Sequence, residues 1–277
     1  MKKLKYYEIG YWSEVKLDII KEYASAYTKI MSAQKSPTFE YSYIDAFAGA
    51  GKHISKETGS FVPGSPSNAL NLDKPFKKYH FIDLNNLKVA ELERMAKERD
   101  NVKVYNGDCN KILPDKILPL IDYGKYKRAL CILDPYGLHL NWEIIKTAGA
   151  MKSIEIFLNF PVMDINMNVL KHDIRKVAPE QIERMNAFWG DESWKNIGYV
   201  KSNQQVLFGE EVNEKTSNVE LEKGFRNRLK EVAGFKYVPE PMPMRNSNNA
   251  IVYYLYFASQ KPTAQHIVKN IFEKYSN

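Results

Sequence analysis

Apolar positions follow two rhythms along this chain. Val15, Leu17, Ile19, Ile20, Tyr23, Ala24, Tyr27 and Ile30 recur as one broad helical stripe, with Ser13 as N-cap and Glu14 behind it. Ser36-Pro37-Thr38 ends that pattern, so residues 1–40 read as an N-terminal helical segment. Short apolar runs follow at residues 41–45, 78–84, 102–105, 129–134 and 154–160. Helical patterns separate them at residues 66–72, 86–97, 112–121 and 142–151, and Pro114 and Pro119 interrupt the third. Strands alternating with helices fold as right-handed βαβ crossovers on a parallel sheet. Residues 41–161 are therefore expected to form an α/β core.

The rhythm breaks after Pro161. Residues 162–233 read as a charged helical insertion, with its clearest helices at 178–189 and 218–233. Two more apolar runs, 235–239 and 251–258, flank a connection rich in proline and asparagine. They predict an antiparallel hairpin at the sheet edge, and a last helix over about 263–275 completes a closing segment, 234–277. The expected fold is Rossmann-like α/β: a seven-stranded, mostly parallel sheet with a C-terminal hairpin.

The strongest local signal is Tyr43-Ile44-Asp45-Ala46-Phe47-Ala48-Gly49-Ala50-Gly51, a strand running directly into a glycine turn. Open α/β sheets bind ligands at this carboxyl edge. Gly49 and Gly51 let backbone approach a ligand and take unusual φ values. The next strand ends in Asp83, placed to accept both ribose hydroxyls of an adenosine, and the third is followed by Gly107-Asp108, a second carboxylate at that edge. A dinucleotide fingerprint needs G-x-G-x-x-G opening into a helix. Here Lys52-His53-Ile54-Ser55 follows with no third glycine, and the next helix start, Ser65-Pro66, lies fourteen residues beyond Gly51. S-adenosylmethionine carries no phosphate and needs no such helix, so it is the expected cofactor, with Asp45, Phe47, Gly49, Gly51, Asp83 and Asp108 at its site.

The fourth strand delivers Asp134 into a Pro135-Tyr136-Gly137 turn at the same edge. An exocyclic base amine is a poor nucleophile, because its lone pair is delocalised into the ring. A carboxylate and a neighbouring carbonyl that accept its two hydrogens favour the tetrahedral geometry required for attack on a methyl group. Asp134, Pro135 and Tyr136 are the expected catalytic residues, with Tyr136 as a stacking surface for the base. Asn159 and Phe160, closing the fifth strand, are expected to line the substrate pocket, and Asp164, Asn166 and Asn168 just beyond are candidate polar contacts.

These motifs carry a resemblance. Asp45–Gly51, Phe81–Asp83, Gly107–Asp108 and Asp134–Gly137 resemble the successive motifs of class I S-adenosylmethionine-dependent methyltransferases. With Gly64-Ser65-Pro66 and Tyr253-Tyr254-Leu255-Tyr256-Phe257-Ala258-Ser259, the chain most resembles the three-Cys-motif partner (TcmP) proteins over nearly its whole length. The resemblance implies a methyltransferase fold, bound S-adenosylmethionine and a three-cysteine-motif protein, radical-S-adenosylmethionine-like, as partner. The tetrapeptide departs from the D-P-P-Y of adenine-N6 enzymes and is closer to the D-P-[FY]-G of tRNA guanine-N2 dimethyltransferases.

Charge adds a substrate preference. Lys and Arg number 40 against 33 Asp and Glu, a formal +7, which favours a nucleic-acid partner, DNA or RNA. Lys223, Arg226, Arg228 and Lys230 form one basic helical patch, with Arg226 and Arg228 as expected phosphate contacts; Lys2, Lys3 and Lys5 beside Tyr6, Tyr7, Tyr11 and Trp12 form another. Two cysteines and five unclustered histidines predict no disulfide framework and no metal. No apolar stretch is long enough for a membrane span or a signal peptide, and the expected location is cytoplasmic. The function expected first is methyl transfer to an exocyclic amine of a nucleic-acid base. Transfer to a small molecule or protein is one alternative, and a weakly catalytic partner protein is another.

Overall fold

The computed structural model describes residues 4–36, 38–201 and 213–276; Lys2, Lys3 and Pro37 lie outside them. Five parallel strands form the centre of the main sheet: β2 (Glu40–Asp45), β5 (Lys78–Asp83), β6 (Val102–Asn106), β7 (Lys127–Leu133) and β8 (Ile154–Phe160). β11 (Met242–Arg245) and β12 (Ile251–Ala258) complete it in the order β11-β12-β8-β7-β2-β5-β6. β12 runs antiparallel to both neighbours, so β11 points the same way as the five central strands. This is the mostly parallel seven-stranded Rossmann-like sheet with a C-terminal hairpin.

Near-continuous apolar strands follow from burial on both faces. In β7, Ala129, Cys131 and Leu133 face one layer and Leu130 and Ile132 the other, and both sets are buried. The second layer is built on α1 (Tyr11–Ser32), α2 (Ser65–Leu70), α3 (Asn86–Ala96) and α10 (Pro262–Tyr275), with Tyr23, Phe157 and Phe257 interlocked edge-to-face or tilted. The first is covered by α4 (Cys109–Ile112), α5 (Trp142–Met151), α6 (Val162–Asn168), α7 (Pro179–Trp189), α8 (Trp194–Gly198) and α9 (Asn218–Glu231). Each fully buried large side chain contributes roughly 1.5–3 kcal/mol by its removal from water.

Several local expectations shift. Gly10, in extended conformation, is the N-cap of α1, which puts Ser13 inside the helix, and β1 (Glu8–Ile9) precedes it. Ser65 is likewise inside α2, with Gly64 as N-cap. Residues 112–121 are not one helix: α4 passes into a wide π turn at Leu113–Ile117 and a 3-10 turn at Leu118–Leu120, each starting around a proline. The run at 235–239 is no strand; only Tyr237 bridges to Ser259, and the hairpin uses β11 instead. Pro243 sits within β11 because that strand is at the sheet edge. β3 (Lys52–Ser55) and β4 (Phe61–Pro63) form a hairpin that pairs with β1, and the insertion holds an antiparallel ribbon, β9 (Tyr199–Lys201) with β10 (Asn213–Lys215).

Candidate functional site

The glycine turn sits at the carboxyl end of β2. Gly49 and Gly51 take φ of +65° and +72°, the left-handed region that favours glycine. A Cβ on Gly51 would lie 2.6 Å from Met95 Sδ, whereas one on Gly49 would project into open space. The turn is held from α2: Gly64 N–H and Ser67 Oγ both donate to the Gly51 carbonyl, at 2.8 and 2.6 Å.

Asp45 is fully buried at the end of β2. Its carboxylate accepts from Ser65 Oγ at 2.6 Å and from Phe47 N–H at 3.3 Å. Burial pushes its pKa up to about 7, against the pull of those two hydrogen bonds; the charge of Asp134 adds to the rise and that of Lys16 opposes it. Phe47 is half-buried against the sheet core. Asp83, ending β5, accepts from Gly49 N–H at 2.9 Å and Asn85 N–H at 2.8 Å, with Lys88 Nζ 3.7 Å away. That carboxylate therefore fixes the glycine turn while retaining acceptor capacity. Asp108 is exposed and caps α4 through Asn110 N–H at 2.9 Å.

At the end of β7, Asp134 Oδ2 accepts from Lys16 Nζ at 2.5 Å. The Lys16 side chain is 11% exposed and that of Asp134 31%. Burial works to lower the Lys16 pKa, but the charges of Asp134, Tyr253 and Asp45 outweigh it and raise the value, so the ammonium stays protonated. Pro135 is buried and its carbonyl accepts from Asn159 Nδ2 at 3.5 Å; Asn159 Oδ1, also buried, has no hydrogen-bond partner. Tyr136 is 91% exposed. Gly137 follows at φ +65°, and a Cβ there would lie 2.8 Å from Asp164 Oδ2. Asp164 is held by Asn168 Nδ2 at 2.6 Å and Arg184 at 3.4 Å, so α6 and α7 brace the turn that carries Tyr136. Asn166 instead bonds Asn218.

Three expected substrate contacts lie elsewhere. Phe160 is core, packed on Phe188, Phe225 and Tyr256, because the last residue of β8 faces the layer that holds α7 and α9. Arg226 donates to the Val238 carbonyl at 3.1 Å and pairs with Glu240. Arg228 stacks on Trp142 and donates to Trp189 O, Ser193 Oγ and Asp191 Oδ2, so it is a structural cation rather than a free phosphate contact.

Lys16 and His53 are the residues that motif reading passes over. Lys16 falls in the apolar stripe with Ile20 and Tyr23, at i, i+4 and i+7, and a charge there is the signal that marks it. His53, in β3 just past the glycine turn, has a buried Nδ1 without a hydrogen-bond partner. Burial lowers its pKa; Lys16 and Lys88 lower it further and Asp134 opposes them.

Among the described residues, no three His, Cys, Asp or Glu side chains are grouped to hold a metal, and no helix is long and apolar enough to cross a membrane. No family model and no curated protein matches the chain. Among solved structures, protein LPL1258 of Legionella pneumophila, of family DUF519, superposes with a TM-score of 0.53 at 14% identity, over 93% of this chain and 90% of that one. A putative methyltransferase from Thermobifida fusca gives 0.44 at 12% identity, over 90% and 80% of the two chains. Trm5b from Pyrococcus abyssi gives 0.36 at 15%, over 86% of this chain and 49% of that one. At 14% identity the first likeness establishes a shared fold and leaves the reaction to the site.

Proposed function

We propose that the protein transfers a methyl group from S-adenosylmethionine to an exocyclic amino group of a nucleic-acid base. The observation that carries this reading is the Asp134-Pro135-Tyr136 turn beside the Gly49–Gly51 turn: a half-open carboxylate, a backbone carbonyl and a bare aromatic ring at one sheet edge. The residues fit the cofactor. Asp83 has lone pairs left for ribose hydroxyls, Gly49 leaves open space where a side chain would stand, and Asp108 lies at the same edge for the adenine. Asp45 and Phe47 shape the floor of that site, and Gly51 its close approach to α2. When bound, S-adenosylmethionine supplies the electrophilic methyl group. Asp134 and the Pro135 carbonyl accept the two N–H hydrogens of the acceptor, Asn159 steadies that carbonyl, and Tyr136 stacks on the base.

On this reading residues 41–161 bind the cofactor and 234–277 complete their sheet, while 162–233 meet the substrate and 1–40 supply Lys16. The resemblance to three-Cys-motif partner proteins adds a three-cysteine-motif protein as partner. A cytoplasmic setting suits the two free, buried thiols Cys109 and Cys131. One observation favours a second reading, a small-molecule or protein acceptor: Arg226 and Arg228 are engaged within the fold. Calorimetric titration with S-adenosylmethionine, followed by tracing labelled methyl into bulk tRNA, rRNA and DNA, separates the two. Binding without transfer to any nucleic acid removes the first reading. Asp134→Ala should lower transfer at least a hundredfold, and wild-type transfer by that variant would overturn the assignment of the turn.

A further inference from the structure

The Lys16–Asp134 contact restricts which amine the site can accept, an inference that rests on the methyl-transfer reading above. Lys16 reaches the turn from α1, 118 residues away in sequence, and occupies one carboxylate oxygen, Oδ2. The other oxygen of Asp134 has no hydrogen-bond partner among the described residues, and the side chain is 31% exposed. Lys16, 11% exposed, has largely left water, and an ammonium so placed is costly unless a carboxylate pairs it. Its place at the ligand edge, beside the unpartnered Asn159 Oδ1, points to use rather than to packing.

We propose that Lys16 is a positioning and acceptor-selecting residue: it pins Asp134 by Oδ2, presents Oδ1 to the acceptor, and restricts the site to uncharged amines. An alkylammonium brings a positive charge against a cation that the site already contains, and it lacks the lone pair that takes a methyl group. An aromatic amine on a base is neutral, offers two N–H donors, and presents a flat face to Tyr136. Lys16 offsets the charge of Asp134, so the carboxylate presented to the acceptor is one already paired with a cation.

Labelled-methyl assays on wild type, Lys16→Met and Lys16→Arg test this. Wild type should label tRNA, rRNA or DNA and leave poly-lysine unlabelled; equal labelling of poly-lysine would overturn the selection. Lys16→Met should lose at least tenfold in kcat with acceptor KM within about twofold, since the stacking ring of Tyr136 is untouched. Lys16→Arg, which keeps a cation in reach of Oδ2, should recover most of that loss. Wild-type kcat in Lys16→Met would sink the proposal while leaving the methyl-transfer reading in place. A readout free of substrate covers failure of that reading: a thermal-unfolding cycle over Lys16→Met, Asp134→Asn and the double variant. Coupling between the two positions is expected, and strict additivity would overturn the pinning.

Discussion

Asp45 is a carboxylate whose fold resists its ionisation. Its folded pKa, about 7, lies above the roughly 3.9 of an unfolded aspartate, so the folded chain holds this proton more tightly than the unfolded one. Its cost to stability is absent below about pH 4, grows as pH rises toward 7, and is constant above that. Asp45→Asn should therefore gain on wild type between pH 4.5 and 7.5, by of order 2–4 kcal/mol, read from urea midpoints at the two pH values. No such gain would mean that the buried carboxyl ionises freely. Gly137 carries a backbone requirement instead. Gly137→Ala forces a left-handed φ on a residue whose Cβ would press on Asp164, at a cost of about 1–2 kcal/mol. Because the strain sits beside Tyr136, the proposed methyl transfer should fall further than the drop in melting temperature suggests.

Single elements carry most of the difference between pattern and structure. Arg228 on α9 has a helical position that reads as solvated charge, yet it joins Trp142, Trp189, Ser193 and Asp191. Arg228→Ala should thus destabilise the fold by about 1–3 kcal/mol in chemical denaturation. If it acted instead as a phosphate contact, nucleic-acid affinity would drop with stability unchanged. The central strands were legible because burial on both faces demands uninterrupted apolar runs, and the glycine turn because its residue types have few other uses. β3 and β4 were not, since Lys52–Ser55 and Phe61–Pro63 are short and largely half-buried or exposed, which leaves no alternation to detect. β11 escaped because Met-Pro-Met-Arg reads as a breaker unless its edge position is known. The turns of the candidate site were legible as far as its motifs reach. Lys16 lies outside every motif and joins Asp134 only through the docking of α1.

At the scale of the whole molecule, two buried ionisable groups oppose one another. Burial lowers the His80 pKa to about 4, from an ordinary value of about 6.5. The unfolded chain takes up a proton that the folded one refuses, so this contribution is lost as pH falls from 6.5 toward 4, the window in which Asp45 relaxes. Wild type should show a shallow acid dependence there, and Asp45→Asn a steeper loss; an equally shallow curve would show that His80 is not the balancing group. The sheet order also dictates a timetable. β12 is made after every other strand, yet it lies between β8 and β11 rather than at an edge. α10 follows it and packs on α1, where Lys274 meets Glu22 at 2.7 Å. A nascent chain emerging from the ribosome therefore holds Lys16 and Asp134 long before it holds the strand and helix that seat α1. The site is assembled late, from parts made early.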